Sequence, residues 1–204
     1  MYALHMLLVA LAIHAIGAAT CLFFRRDDGA ATMLSGIVGA VAGGVGLIAG
    51  LAALGGAPAV LDFGGPYPFA RFVLRLDPLA GLMVAVISGL TLVASIYSLA
   101  YLREYAGRGV WAMGAFTQVF VASMLLVVTC DDAFWFLVFF EMMSLASYFI
   151  VIFDQNEEAV SAGFLYFLVA QAGSVAIMAA FFLMANAAGS FSFEAFRAHR
   201  PSET

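Results

Sequence analysis

Apolar residues gather into six long runs, at 2–24, 30–54, 79–102, 110–130, 133–153 and 159–185, with short polar punctuation between most of them: RRDDG, REYAGRG, DD and DQNEE. A hydrocarbon core of ~30 Å needs about 20 apolar residues per helix. Each run meets that length, so the pattern predicts an all-α polytopic membrane protein with about six transmembrane helices. The connection at 55–78 differs from the others. It is rich in Gly and Pro, and in FVLRL the residues Val73 and Arg75 alternate with Phe72, Leu74 and Leu76. That period of two predicts a short strand, and AVLDF before GGPYP is its candidate partner in an external β-hairpin between helices two and three. The chain therefore divides into two N-terminal helices (1–54), a hairpin loop (55–78), four further helices (79–185) and a tail (186–204). The tail, SFSFEAFRAHRPSET, reads as a short amphipathic helix or a solvated end.

Composition sharpens this picture. Of 204 residues 65% are hydrophobic and 10% charged, where a soluble domain carries about 25% charged residues. The mean hydropathy of +1.05 excludes a soluble globule with a large core. Thirteen acidic residues face eight basic ones, for a net charge of −5, and every base is an arginine. No block of like charge forms a nucleic-acid surface. The first run lacks a basic leader region and is too long for a signal peptide, so it reads as a permanent span. Cys21 and Cys130 lie near the ends of different spans, at opposite faces, and read as buried inert thiols.

Orientation follows the arginines of the short loops. Arg25, Arg26, Arg103 and Arg108 follow spans one and three. Arg71 and Arg75 lie in the hairpin on the other side, where Arg197 and Arg200 of the tail join them. Before the tail is counted, the balance places the N-terminus outside.

Small and weakly polar residues mark helix faces. Gly36, Gly39, Gly43, Gly46 and Gly50 recur at spacings of three and four, a face that lets a neighbouring backbone approach closely. Ser88, Thr91, Ser95 and Ser98 form a stripe that either bonds between helices or borders water.

One residue breaks the apolar pattern where that is most unfavourable. Glu141 lies within FWFLVFFEMMSLASYFIVIF, about two residues or ~3 Å from the middle of its span at 1.5 Å per residue. Glu141, Ser144 and Tyr148 sit at i, i+3 and i+7, on one side of the helix. An acid at that depth costs about 2.5–3.5 kcal/mol on insertion scales, and such residues face helices or water-filled cavities as functional groups. The plainer alternative is a protonated glutamic acid that bonds a neighbouring helix. A half-buried carboxyl can be tuned to take up and release protons if a cation stands nearby. All eight arginines fall in loops or the tail, and helix six offers only Tyr166, Gln171 and Ser174, so the cation must come from elsewhere.

Other candidates carry less. His5 and His14 are half a revolution apart and cannot face one haem or metal, which argues against a cytochrome b type of protein. Asp131 and Asp132 read as solvated, Asp77 before Pro78 as a helix cap, and Arg103 with Glu104 as an anchor pair at the inner face. Nothing resembles a nucleophile with its base, a phosphate loop or a cluster-binding cysteine set.

Two stretches carry a family resemblance: LRLDPLAGLMVAVISGLTLVASIYSLAYLREYAGRG, and DDAFWFLVFFEMMSLASYFIVIFDQNEEAVSAGFLYFLVAQAGSVAIMAAFFLM. They resemble the hydrogenase-4 component B and formate hydrogenlyase membrane subunits. These belong to the antiporter-like subunits that also occur in respiratory NADH:quinone oxidoreductase and in multisubunit sodium/proton antiporters. FE-x-M-S-L-x-S around Glu141 is the most specific part. The resemblance implies a proton pathway in which Glu141, with Ser144 and Tyr148 beside it, pairs with a lysine beyond the end of this chain. It also implies a non-redox membrane subunit with no active centre or cofactor of its own. Its partners would be other membrane subunits and a hydrophilic arm carrying Ni–Fe and Fe–S centres. The expected location is the bacterial inner membrane, with a periplasmic N-terminus. Such subunits have about fourteen helices, so six imply a fragment, a truncated frame or the first piece of a split subunit, unable to translocate protons alone. A structural anchor without transport and a cation-antiporter subunit are the competing functions.

Overall fold

The computed structural model describes residues 1–65, 70–105 and 107–199, with only the backbone of Arg103 and Glu104. The turn of the hairpin at 66–69, the anchor pair's side chains and Arg200 thus lie outside the described residues. Six helices are long and apolar enough to cross a membrane: α1 (Tyr2–Phe23), α2 (Asp28–Leu54), α3 (Pro78–Tyr101), α4 (Val110–Thr129), α5 (Ala133–Val151) and α6 (Glu157–Ala188). Strands β1 (Ala59–Asp62) and β2 (Val73–Leu76) pair antiparallel between α2 and α3, with Ala59 opposite Leu76 and Asp62 opposite Val73. A 3-10 turn, Leu102–Tyr105, follows α3, and a short α7 (Phe193–Ala198) ends the described chain. The spans and the strand pair stand where the pattern places them, and of the two readings of the tail the described residues show the helix.

Polar residues at the helix starts explain these boundaries. The first amides of a helix have no partner within it, and a side-chain oxygen supplies one. Asp27 accepts from Ala30 N, Asp77 from Ala80 N with Pro78 opening the helix, Asp132 from Phe134 N and Trp135 N, and Asn156 from Ala159 N. α6 stops at Gly189, whose φ of +71° is left-handed.

Packing is tightest where the glycines predict it. Gly36, Gly39, Gly43, Gly46 and Gly50 are all buried on α2, and they meet Leu99, Ser95, Leu92, Ser88 and Ala85 of α3. A methyl on Gly43 would stand 2.7 Å from the main-chain nitrogen of Leu92, so the two backbones touch without side chains between them. Among lipid tails that are themselves apolar, such close van der Waals contact is what drives helix association. Of the Ser/Thr stripe of α3, Thr91, Ser95 and Ser98 line a cavity against α4, and two of its hydroxyls bond locally. Thr91 donates to Ile87 O and Ser98 to Ser95 O, bonds within their own helix rather than between helices.

The hairpin plugs one end of the bundle. Leu74 and Leu76 of β2 are buried with Leu4 and Leu7 of α1, Ala49 and Ala53 of α2, Val84 of α3 and Leu125 of α4. α5 packs on α4, and α6 lies outermost against α5. The buried residues of α6 are Gly163, Ser174 and Ala185, eleven apart, so α6 meets its neighbour along one line of small side chains.

Candidate functional site

Two polar pairs sit near the middle of the spans. The first is the glutamate that the sequence singles out. Glu141 is half-buried on the side of α5 that faces α6, and Gln171 Nε2 donates to its Oε2 at 2.9 Å. Ser144, one turn on, is 3% exposed, and its Oγ meets no partner among the described residues. Tyr148 lies half-buried on the same side and packs its ring on Phe167 of α6, centroids 5.4 Å apart. The three predicted residues thus share the α5–α6 seam without bonding one another. Nearby, Ser147 Oγ donates to the Tyr166 hydroxyl at 2.6 Å, a bond that no spacing announced. Gly163 nests against Ile152 and Tyr148, which fixes the crossing of the two helices.

The second pair is His14 and Gln118, 104 residues apart in sequence. His14 is 1% exposed and Gln118 2%. Gln118 Nε2 donates to Ser35 O at 3.0 Å. Its Oε1 therefore faces His14, whose Nδ1 donates across 2.6 Å, and this fixes the imidazole tautomer. The Gln118 amide lies against Gly17 and Gly39, where a Cβ would crowd it. The network ties α1, α2 and α4 together at mid-span and reads as packing. His5 is exposed and bonds Met1 O at 2.9 Å.

The aspartates after α4 depart from expectation. Asp131 and Asp132 are buried, not solvated, at 8% and 3% exposure. Arg75 of β2 reaches Asp131 Oδ2 at 3.3 Å, and Arg197 of α7 reaches Oδ1 at 3.2 Å. The chain there is also stitched as short bridges: Asp131 N donates to Val73 O at 2.9 Å and Ala133 N to Phe191 O at 2.8 Å. Asp131 therefore joins the hairpin to the tail helix. Burial pushes the Asp132 carboxyl above its usual range, against the amides of Trp135, Phe134 and Arg71 that favour the charged form, and the charge of Asp131 adds to the rise. Burial likewise pushes the Cys130 thiol up to about 12. This cluster borders a cavity of about 760 Å³ between the hairpin and the α6–α7 turn, lined also by Asp62, Arg71, Asn186 and Glu194.

On the opposite face Asp28 takes the main-chain amides of Gly107 at 2.8 Å and Gly109 at 3.1 Å, pinning the loop after α3 to the start of α2. Among the described residues no group of three or more His, Cys, Asp or Glu gathers as metal ligands.

Comparisons with known proteins agree with this architecture. Residues 130–200 match the family described as NADH:quinone oxidoreductase/Mrp antiporter, TM. Hydrogenase-4 component B of Escherichia coli (strain K12) is 46% identical over 198 residues, covering 97% of this chain and 30% of that protein. A subunit of a probable K(+)/H(+) antiporter of Rhizobium meliloti (strain 1021) is 35% identical over 127 residues, covering 62% of this chain and 23% of that one. Among solved structures, the Mrp complex from Dietzia sp. DQ12-45-1b superposes with a TM-score of 0.74 at 26% identity, covering 94% of this chain and 20% of the matched one. The chain thus spans less than a third of the length of these relatives. Six membrane-length helices, a hairpin between the second and third, and these matches together show that the chain belongs to the antiporter-like membrane subunits related to those of NADH:quinone oxidoreductase and the Mrp antiporter.

Proposed function

We propose that these residues form the N-terminal part of a proton-translocating, antiporter-like subunit in a membrane-bound hydrogenase of the hydrogenase-4 type. The observation that carries this reading is Glu141, an ionisable side chain at the middle of α5 that no cation touches among the described residues. The higher identity and longer match to the hydrogenase component than to the antiporter protein favour the hydrogenase branch. Glu141 pairs with a lysine supplied from outside these residues. A proton arriving at the pair changes their joint titration, and the charge moves along the membrane. Ser144 and Tyr148 border that path. This chain holds no redox centre; Ni–Fe and Fe–S groups belong to a hydrophilic arm, and other membrane subunits flank the chain. The location is the bacterial inner membrane with a periplasmic N-terminus, which places Arg25, Arg26 and Arg108 in the cytoplasm.

The test is Glu141→Gln in the full-length subunit within its complex. Proton movement is lost while the complex assembles and turns over hydrogen. Unchanged proton movement rejects the reading. The Gln171 bond favours a second reading, a structural anchor in which Glu141 only joins α5 to α6. That reading expects Glu141→Gln to translocate normally and Glu141→Leu to reduce assembly.

A further inference from the structure

A glutamine in the middle of a membrane helix needs a reason, because lipid satisfies neither end of its amide. Gln171 uses one end only. Its Nε2 donates to Glu141 Oε2, while its own Oε1 and Glu141 Oε1 take no hydrogen bond among the described residues. The surroundings isolate this bond. α4 contains no charged residue, and α6 carries charge only at Glu157 and Glu158 in its first turn. The titratable groups on the seam are the phenols of Tyr148 and Tyr166. Half of the serines and threonines in the spans bond back to a carbonyl of their own helix, as Thr91, Thr117 and Ser123 do. Ser144 and Ser174, which flank the Glu141–Gln171 bond, do not: both Oγ atoms are buried and, like Ser88 Oγ on α3, meet no partner among the described residues. The centre of the seam thus holds polar groups that their own helices leave unused.

The chemistry of an amide gives this arrangement direction. An ionised carboxylate only accepts hydrogen bonds, so it must face the Gln171 N–H, and the amide oxygen then points away as an acceptor. A protonated carboxyl has an O–H to donate. It is best met by the amide oxygen, which requires the amide to turn over and present its N–H outward. We propose that Gln171 is a positioning residue that converts the protonation state of Glu141 into the polarity of the adjoining position: acceptor-lined and cation-holding when Glu141 is ionised, donor-lined and cation-releasing when it is protonated. This rests on Glu141 being the proton-accepting group proposed above.

The experiment uses the assembled complex in native membranes. Infrared difference spectra between low and high pH identify the Glu141 carboxyl band by its loss in Glu141→Gln. A side-chain amide band of glutamine changes with it, and that amide band vanishes in Gln171→Leu while the Glu141 band shifts. Proton movement in Gln171→Leu falls about tenfold or more, as expected for losing one hydrogen bond to a charged group, and Gln171→His, which keeps an N–H donor and an acceptor, recovers it in part. An unmoved Glu141 band in Gln171→Leu, or normal proton movement in that variant, overturns the proposal. If Gln171→Leu does not assemble, the amide band in the unaltered complex, assigned through Gln171→His, decides. If Glu141→Gln translocates normally, the proton-path reading has failed, and the linked Glu141 and amide bands still test the role of Gln171 by themselves.

Discussion

Alanine at Gly43 and alanine at Gly44 are the same change at adjacent positions, and the structure assigns them opposite signs. A methyl on Gly43 lies 2.7 Å from Leu92 N and 2.9 Å from Ser88 O. Both are main-chain atoms of α3 and cannot rotate away. Ordinary carbon contact begins at about 3.5 Å, so α2 and α3 must part by about 0.8 Å at their closest point. Gly36, Gly39, Gly46 and Gly50 share that face, so the separation loosens contacts along the whole interface. Overpacking of this kind costs about 1–3 kcal/mol. A methyl on Gly44 meets nothing within 4 Å, and alanine there gains up to about 1 kcal/mol of helix propensity. The two variants therefore differ by about 1–4 kcal/mol. Reversible unfolding in mixed micelles of rising SDS fraction, followed by helical circular dichroism, measures the difference. Equal midpoints for Gly43→Ala and Gly44→Ala would falsify the claim that backbone contact holds α2 to α3.

Two further outcomes follow from the buried polar groups. His14→Leu strands the Gln118 carbonyl and destabilises by about 1–3 kcal/mol, whereas the double variant with Gln118→Leu loses less than the sum, a cycle readable in the same SDS titration. Asp132 binds its proton more tightly folded than unfolded, because burial raises it. Between the ordinary aspartate range and that raised value the unfolded chain holds fewer protons, so stability falls as pH rises through the window. Asp132→Asn keeps a capping oxygen and flattens this slope; an unchanged slope in pH-dependent unfolding refutes the assignment.

Features set by local pattern could be read from the sequence. The spans follow from apolar run length, the strands from alternation in FVLRL, the α2 face from glycine spacing, and the α3 start from Asp77–Pro78. What escaped was pairing at long range. Asp131 reads as a loop acid because its partners, Arg75 and Arg197, are 56 and 66 residues away, and nothing local distinguishes it from a solvated aspartate. The same holds for His14 with Gln118. Glu141 stood out because charge is rare in hydrocarbon, and Gln171 could be named as a polar neighbour on helix six. Only the antiparallel register of α5 and α6 shows that the two bond.

The ties on α5 and α6 are unequal at their two ends. Where the hairpin lies, Asp131 with its two arginines and the strand-like bridges to Val73, Phe191 and Ser192 fasten the pair. At the far end rings meet across to the bundle, Phe116 on Phe149 and Tyr105 near Phe153. A beam clamped at one end swings about the clamp, so displacement grows along its length. Glu141 stands nine residues from Asp132, about 13 Å along the axis at 1.5 Å per residue. A tilt about that clamp would carry the carboxylate sideways, and the lever arm is built into the position of the residue.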